Sequence, residues 1–427
     1  MALEQLSPTL SPLPTATNNH ELDYDVTIVG GGIVGATLAC SLKDSGLKIA
    51  IIEPQLPSIA ASRSQAYAIT LLSGLILEGI GVWQKIVPQI TTFHQINLCD
   101  GNYPRIVEFY PQDLGKTKKV SPPKSAMGYV GEHRVLLTAL QECLEDCPNF
   151  SWVCPAEVVE VNYQSEYASV DVKINGEIRR ISTKLLIAAD GARSRLRTSA
   201  NIKTSGWKYW QSCIAMTIKT EKPHNEIAYE RFWPSGPMGI LPLPGNRCQV
   251  VWTAPHAEAN SLKEWDEKEF LSLLEYRTGG VLGKLELESD RYVYPVQLMQ
   301  SDRYVLPRLA LIGDAAHCCH PVGGQGLNMG IRDAAAIGEI ITKSHEKGED
   351  IGDLKVLEKY EKWRQKENLV VLGFTDFLDR LFSNTWLPIV AFRRVCLWSL
   401  QKLPPVKFLA IRLMTGLLGG IPKLAQG

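Results

Sequence analysis

The stretch from Tyr24 to Glu53 constrains this fold more than any other part of the chain. The apolar run Tyr24 to Val29 reads as a strand, and Gly30, Gly32 and Gly35 supply a Gly-x-Gly-x-x-Gly turn before the helical run Ala36 to Asp44. Gly46 closes that helix, Lys48 to Ile52 reads as a second strand, and Glu53 stands at its end. Strand, glycines, helix, strand and terminal acid within about thirty residues form the dinucleotide fingerprint with its required surroundings. The first glycine permits a tight turn, the second lets backbone approach a pyrophosphate, and the third lets the helix pack closely on the sheet. Glu53 can accept hydrogen bonds from both ribose hydroxyls of an adenosine and would repel a 2′-phosphate, which favours FAD or NAD over NADP as the resident ligand.

A second stretch, LALIGDAAHCCHPVGGQGLNMGIRD from Leu309 to Asp333, has a related design. Its opening run, Leu309 to Ile312, reads as a buried parallel strand that delivers Asp314 to the carboxyl edge of a sheet. Pro321 and the cluster Gly323, Gly324 and Gly326 then precede Leu327 to Ser344, where apolar residues recur at helical spacing. A helix that begins at such a turn offers free N–H groups and partial positive charge to an anion or an electron-rich ring. His317, Cys318, Cys319 and His320 do not read as a metal site, because four adjacent side chains cannot converge tetrahedrally.

Between these stretches, Arg63 follows the fingerprint, and Arg134 heads the periodic helix Val135 to Leu144, where its guanidinium can reach a phosphate or a surface acid. Ala68 to Leu77 reads as a helix. Lys184 to Ala189 reads as a buried strand ending in Asp190, with Arg193, Arg195 and Arg197 just behind. Trp207 to Thr220, Ile227 to Trp233, Cys248 to Thr253 and Tyr292 to Gln297 alternate apolar and polar residues, as strands of a largely antiparallel second domain do. Leu262 to Tyr276 reads as one helix, and Gly115 to Lys124 as a solvated loop. Only one complete fingerprint is present, so a second nucleotide would visit an open surface and leave.

A chain of 427 residues suits two or three domains. Lys plus Arg and Asp plus Glu both number 45, so no global charge argues for nucleic acid. The 10 cysteines follow no repeating spacing and no secretory signal precedes them, which predicts reduced thiols in a cytoplasmic or stromal-type compartment. Residues 1–22 are expected to be a disordered leader, and no apolar run is long enough to span a bilayer. From Arg380 to Gly427 there is no acid, while Arg393, Arg394, Lys402, Lys407, Arg412 and Lys423 interleave with Trp386, Phe392, Trp398 and Phe408. Such a tail suits an anionic membrane surface or packing on the body of the protein.

The glycine turn with Glu53, the Asp190 to Arg197 block and GDAAH…HPVGGQGLN together resemble the FAD-dependent aromatic hydroxylases, the single-component flavoprotein monooxygenases. SRSQAYAITLLSGLILEGIGVW, ERFWPSGPMGILPLP with the later VVW, and GGQGLNMGIRD are similar, more narrowly, to the ubiquinone-biosynthesis hydroxylases. The likeness runs from about Tyr24 to the carboxyl end. It implies an α/β fold with a discontinuous Rossmann-like FAD domain (23–95, 131–205 and 301–345), a β-sheet substrate domain (96–130 and 206–300) and a C-terminal helical region (346–427). By position it assigns Gly30, Gly32 and Gly35 to the pyrophosphate, Glu53 to the adenosine ribose, and Arg63 and Arg134 to the phosphates or ribityl region. It assigns Asp314 to the ribityl chain, Asp190 to the surroundings of FAD and the nicotinamide donor, and Pro321, Gly324, Gly326, Leu327 and Asn328 to the flavin ring.

The implied activity is hydroxylation of a prenylated phenol or quinone precursor in quinone biosynthesis, with FAD, dioxygen, and NADH or NADPH as a transient reductant. No side chain is assigned to catalysis, since the flavin carries the chemistry. Phe232, Leu241 and Trp252 are the expected apolar wall of the substrate pocket. The tail is expected to make the protein a peripheral membrane protein in the cytoplasm. A flavin-dependent reductase or oxidase of a prenyl lipid, and a membrane-associated scaffold with structural FAD, are the alternatives.

Overall fold

The structure, a computed structural model, describes residues 22–101, 106–115, 120, 123 and 125–426. The expected leader, apart from Leu22, and most of the Gly115 to Lys124 loop lie outside the described residues. A parallel sheet forms the first layer, in the order Leu309–Leu311, Glu177–Ala188, Tyr24–Val29, Ile49–Ile52, Phe150–Val153. Its central strands are apolar without alternation because helices cover the sheet, and Val26, Ile28, Ile51 and Ile187 are wholly buried. The helices Ile33–Leu42 and Gln325–Glu346 pack on each other. Strand Glu177–Ala188 has three partners: its first half runs antiparallel to Ala168–Ile174, and its second half runs parallel to both Tyr24–Val29 and Leu309–Leu311.

The second sheet runs His317–Cys318, Tyr292–Ser301, Thr204–Thr220, Arg247–Pro255, Gly236–Leu243, Ile227–Trp233, Gln95–Asp100, Ile106–Phe109. Its pairs are antiparallel except for Ile227–Trp233 beside Gln95–Asp100. The two-residue edge strand His317–Cys318, next to the Asp314 turn, joins the sheet to the segment that carries the parallel layer's last strand. Alternation decides what each face does. Met238, Ile240, Val250, Trp252 and Ala254 pack with Phe270 and Leu274 from the helix Glu267–Arg277. Gly239, Leu241, Val251 and Thr253 face a cleft on the other side.

Two helices differ from the sequence expectation. Ala66–Ile69 is a strand paired with Gly128–Glu132, and the helix starts only at Leu71, after Thr70, whose hydroxyl accepts the Ser73 N–H. The expected helix Leu262 to Tyr276 is two, His256–Glu264 and Glu267–Arg277. Asp266 separates them by capping the Lys268 N–H at 2.9 Å and the Glu269 N–H at 3.4 Å. The C-terminal region consists of Leu354–Phe382, Leu387–Lys402 and Pro404–Met414. No single helix among the described residues is long and apolar enough to cross a membrane.

Candidate cofactor and substrate site

The glycine turn lies between the strands Tyr24–Val29 and Glu177–Ala188 and the first turn of the helix Ile33–Leu42. A Cβ on Gly30 would stand 2.3 Å from the Ala189 carbonyl oxygen, and one on Gly35 would stand 2.0 Å from that of Gly30. At these positions no larger residue fits unless backbone moves. Gly32 differs: it is the N-cap, no side chain caps the helix, and nothing lies within 4 Å of where its Cβ would be. The turn therefore leaves space over free N–H groups, which suits a pyrophosphate. Glu53 is oriented beside it, its carboxylate accepting the Gly31 N–H at 2.7 Å and the Gln55 N–H at 3.1 Å.

Asp314 occupies a short turn, Gly313–Ala315, after the strand Leu309–Leu311. Its side chain is exposed, and its carboxylate has no hydrogen-bond partner among the described residues. Surrounding protein raises its carboxyl above the usual range, and nearby His317 opposes that shift. The turn is held by Asp333, which is wholly buried in the helix Gln325–Glu346. One Asp333 oxygen accepts the Gly313 N–H at 3.1 Å and His317 Nε2 at 2.6 Å. The other accepts Arg364 Nε at 2.8 Å and Asn368 Nδ2 at 3.0 Å. Burial alone would raise this carboxyl, but His317 and Arg364 hold it well below the usual range. Asp333 and Arg364 were not singled out from sequence, although Asp333 lies on the helix face that Gly330 and Ala334 bury.

The loop Pro321–Gly324 faces the second sheet. His320 sets its entry: Nε2 donates to Gln211 Oε1 at 3.2 Å, and Nδ1 accepts the Val322 N–H at 3.2 Å. Burial lowers this imidazole to about 3, so its 3.5 Å approach to Asp379 is a contact of a neutral ring. Gly323 and Gly324 both have left-handed backbone, at φ 70 and 60, and Gly324 begins the helix without a side-chain cap. Pro321, Val322, Gly323 and Gly324 line one wall of a cleft that encloses about 640 Å³ of empty space, open solvent included. The opposite wall is Ala228, Glu230, Gly239, Leu241 and Val251, and Met414 from the C-terminal helix Pro404–Met414 closes part of the rim.

The expected site residues separate into several groups. Gly30, Gly32, Gly35 and Glu53 form the cradle, while Arg134 stands exposed in the first turn of the helix His133–Glu145. Arg63 is exposed and donates to Gln55 Oε1 at 3.4 Å. Asp190 uses one oxygen to cap the Arg195 N–H at 2.8 Å and the Leu196 N–H at 3.3 Å, and its other oxygen is buried without a partner among the described residues. Arg197 joins this block to the Asp314 turn by donating to the Ala315 carbonyl at 2.8 Å. Gly326 and Leu327 lie in the first turn of the helix Gln325–Glu346.

Asn328 is turned inward. Its Oδ1 accepts the Thr70 N–H at 2.8 Å, and its Nδ2 donates to Ala68 O at 2.8 Å and Gly324 O at 2.7 Å, so it staples the loop to the strand Ala66–Ile69. Of the expected pocket wall, Leu241 lines the cleft but Trp252 and Phe232 do not. Trp252 has the wrong parity: Val251 and Thr253 face the cleft, which sends Trp252 into the opposite core against Phe270. Phe232 shares the parity of Ala228 and Glu230 but lies farther along the strand, where its ring stacks on Phe382 at 3.8 Å. Glu230, a cleft residue missed from sequence, sits in the same ERFW segment, where that parity was the available signal.

Part of the tail's charge is engaged with the body of the protein. Arg393 is buried and paired with Asp100 at 2.9 Å, and Lys407 pairs with Asp113 at 2.7 Å. Neither is a free cation for a membrane. What faces solvent is mainly apolar, with Trp386 65% and Leu387 79% exposed and Phe392, Val395, Trp398 and Leu409 also exposed.

A parallel sheet with this cradle, an acid at the carboxyl edge and a glycine loop facing a second sheet define a dinucleotide-binding flavoprotein fold, and comparison with known proteins agrees. Residues 23–370 match the family model described as FAD binding domain, and the chain belongs to that family. It is an FAD-dependent monooxygenase of the aromatic hydroxylase type. An uncharacterized protein, slr1300, of Synechocystis sp. is 52% identical over 404 residues, covering 95% of this chain and 96% of its own. Ubiquinone hydroxylase UbiL of Rhodospirillum rubrum is 34% identical over 405 residues, covering 94% of this chain and 92% of its own. The crystal structure of p-nitrophenol 4-monooxygenase PnpA from Pseudomonas putida DLL-E4 superposes with a TM-score of 0.76 at 19% identity, over 92% of this chain and 98% of that one. This last likeness concerns the fold.

Proposed function

We propose that this protein hydroxylates the aromatic ring of a prenylated phenol or quinone precursor in quinone cofactor biosynthesis, with dioxygen and with NADH or NADPH as a transient reductant. The observation that carries the reading is the cleft, which has the glycine loop on one wall, an apolar sheet on the other, and the rim residue Met414 from a helix whose outer side exposes Val406 and Leu409. The names of the relatives support it: ubiquinone hydroxylase in Rhodospirillum rubrum and 3-demethoxyubiquinol 3-hydroxylase in Escherichia coli, the latter 29% identical over 406 residues.

When bound, FAD supplies electron transfer from the reduced nicotinamide and activation of dioxygen. The chain binds, orients and shields. Gly30, Gly32 and Gly35 would hold the pyrophosphate, Glu53 the ribose and Asp314 a ribityl hydroxyl. The uncapped start of the helix Gln325–Glu346 presents its dipole to the ring that Pro321–Gly324 would face. Leu241, Val251 and Ile96 exclude water from the reacting centre.

The tail is the membrane contact in this reading. Its exposed apolar side chains enter the interface, each contributing on the order of 1.5–3 kcal/mol if fully buried, and the absence of acids removes repulsion from anionic lipid. Because Arg393 and Lys407 are paired to the body, binding should depend less on salt than six free cations would require. Incubation of the FAD-loaded enzyme with NAD(P)H, labelled dioxygen and candidate prenylated phenols in vesicles tests the function. One labelled oxygen per product is expected; reduction or oxidation of the lipid with no label would favour a reductase or oxidase. Flotation of Trp386→Ala/Leu387→Ala/Trp398→Ala with anionic vesicles tests the tail, and binding equal to that of the unaltered protein would return it to simple packing.

A further inference from the structure

Among its described lining residues the cleft contains a single acidic side chain and no basic one. Glu230 projects from the strand Ile227–Trp233 with its carboxyl beside the loop, where Oε2 accepts the Gly323 N–H at 3.4 Å. Its cross-strand neighbours are Gly239 and Leu98, neither charged. A Cβ on Gly239 would stand 3.7 Å from Oε2, so glycine leaves room beside the carboxyl. Phe93, Ile96, Val251 and Met414 complete apolar surroundings. Arg231, next in the strand, is turned away and donates to the Arg277 carbonyl at 2.8 Å. Tyr229 borders the cleft beside Glu230 while its side chain also packs against the core on the opposite face, and Thr253 donates its hydroxyl proton to the Pro237 carbonyl at 2.7 Å.

A carboxylate held by one long N–H bond in an apolar wall is costly unless another partner arrives. Burial raises this carboxyl to about 7, with the Gly323 N–H opposing the shift, so near neutrality it is poised to accept a proton. We propose that Glu230 is a catalytic base that takes the phenolic proton of the substrate, and that the ring to be hydroxylated must enter with a free hydroxyl directed at the strand Ile227–Trp233. This rests on the hydroxylation reading above and names its substrate class further: phenols, not their ethers.

The proton transfer to Glu230 involves no redox change. The phenol O–H bond breaks, its proton passes to a Glu230 carboxylate oxygen, and the electron pair stays on the phenolate oxygen. Electron density rises at the ortho and para carbons, where the new C–O bond forms; that insertion is the two-electron oxidation already proposed, with dioxygen as oxidant and NAD(P)H supplying the electrons that take its second oxygen atom to water. The hydroxylated ring forms first as a dienone. It then takes a proton from Glu230 at its oxygen while the displaced ring proton leaves to solvent, which restores both the aromatic ring and the carboxylate.

The test uses the full-length FAD-loaded protein with 2-octylphenol, its methyl ether and a ring-fluorinated 2-octylphenol of lower phenolic pKa. The unaltered enzyme is expected to hydroxylate the phenol but not the ether, with a rate that rises through a limb near pH 7 as Glu230 loses its proton. Glu230→Gln should lose about 100-fold or more in kcat and lose the limb, with FAD content and flavin reduction unchanged. Glu230→Asp should retain part of the rate, and the fluorinated phenol should recover part of the loss in Glu230→Gln. A Glu230→Gln enzyme with the normal rate and limb, or equal hydroxylation of the ether, overturns the assignment.

Equilibrium binding of the same phenol and ether, followed by flavin fluorescence, separates the two claims. About a tenfold preference for the phenol near pH 8, lost near pH 6, supports the Glu230 contact even if no oxygen is inserted. In that case the hydroxylation reading alone fails. Equal binding of phenol and ether at both pH values overturns the Glu230 assignment.

Discussion

The cofactor cradle and the substrate cleft are built in opposite ways. The cradle comes largely from one contiguous stretch, Tyr24 to Glu53, and is made of backbone: its tolerances are the 2.0 and 2.3 Å that separate hypothetical Cβ atoms from carbonyl oxygens. The cleft gathers Ala68, Phe93, Glu230, Leu241, Gly323 and Met414 from across the chain and is made mostly of side chains around open space. Backbone sites fail abruptly when one atom is added. A side-chain cleft changes by degrees, because neighbours can reshape into space that is already there.

The comparison can be broken most directly at Gly35. Gly35→Ala should abolish FAD retention, read as the flavin-to-protein ratio after gel filtration, with a lower melting temperature. Normal flavin content in that variant would mean the cradle has slack the geometry denies. Next is Asp333→Asn, which leaves Arg364 and His317 without their shared buried anion and should cost about 3–5 kcal/mol in denaturant unfolding. The sign with pH follows from the depressed carboxyl. Its stabilisation is fully present above the unfolded carboxylate range, near pH 4, and is lost only as pH falls through the lower folded value. The gap between variant and parent should thus stay level from about pH 7 to pH 5, and a gap that closes across that range contradicts the network.

A matched pair then separates the two faces of the second sheet. Trp252→Ala should cost about 3–5 kcal/mol of stability and leave KM for the aromatic substrate near normal in the folded fraction. Leu241→Ala should cost less stability and shift KM. The reverse pattern would place the cleft on the other face. The smallest effect is expected for Asp314→Ala, about 1–3 kcal/mol of FAD affinity with the apoprotein's melting temperature unchanged, measured by flavin titration.

Much of the cradle was legible because each of its signals is local. Gly30, Gly32, Gly35 and Glu53 owe their places to a strand–turn–helix–strand pattern within one short stretch, and Asp314 to a similar strand end. The cleft was legible only in part. Leu241 and Trp252 look equally suitable in composition, yet an offset of one residue sends one to the cleft and the other to the core. Asn328 reads as a loop polar group, but its amide is used up by Thr70, Ala68 and Gly324, residues that no spacing rule connects to it. Arg393 reads as one more cation of a basic tail until Asp100, far away in sequence, is found beside it.

By itself the sequence determined the class of sheet, the glycine turn and its acid, the two sets of strands and the helical end of the chain. These follow from periodicity and steric rules that act over a few residues. Tertiary structure alone decided which face of each strand became cleft, which charges met inside, and that Glu230 stands opposite the Gly323 N–H. Those outcomes depend on register and packing between segments from tens to hundreds of residues apart, and local preference carries no information about which partner a side chain will meet.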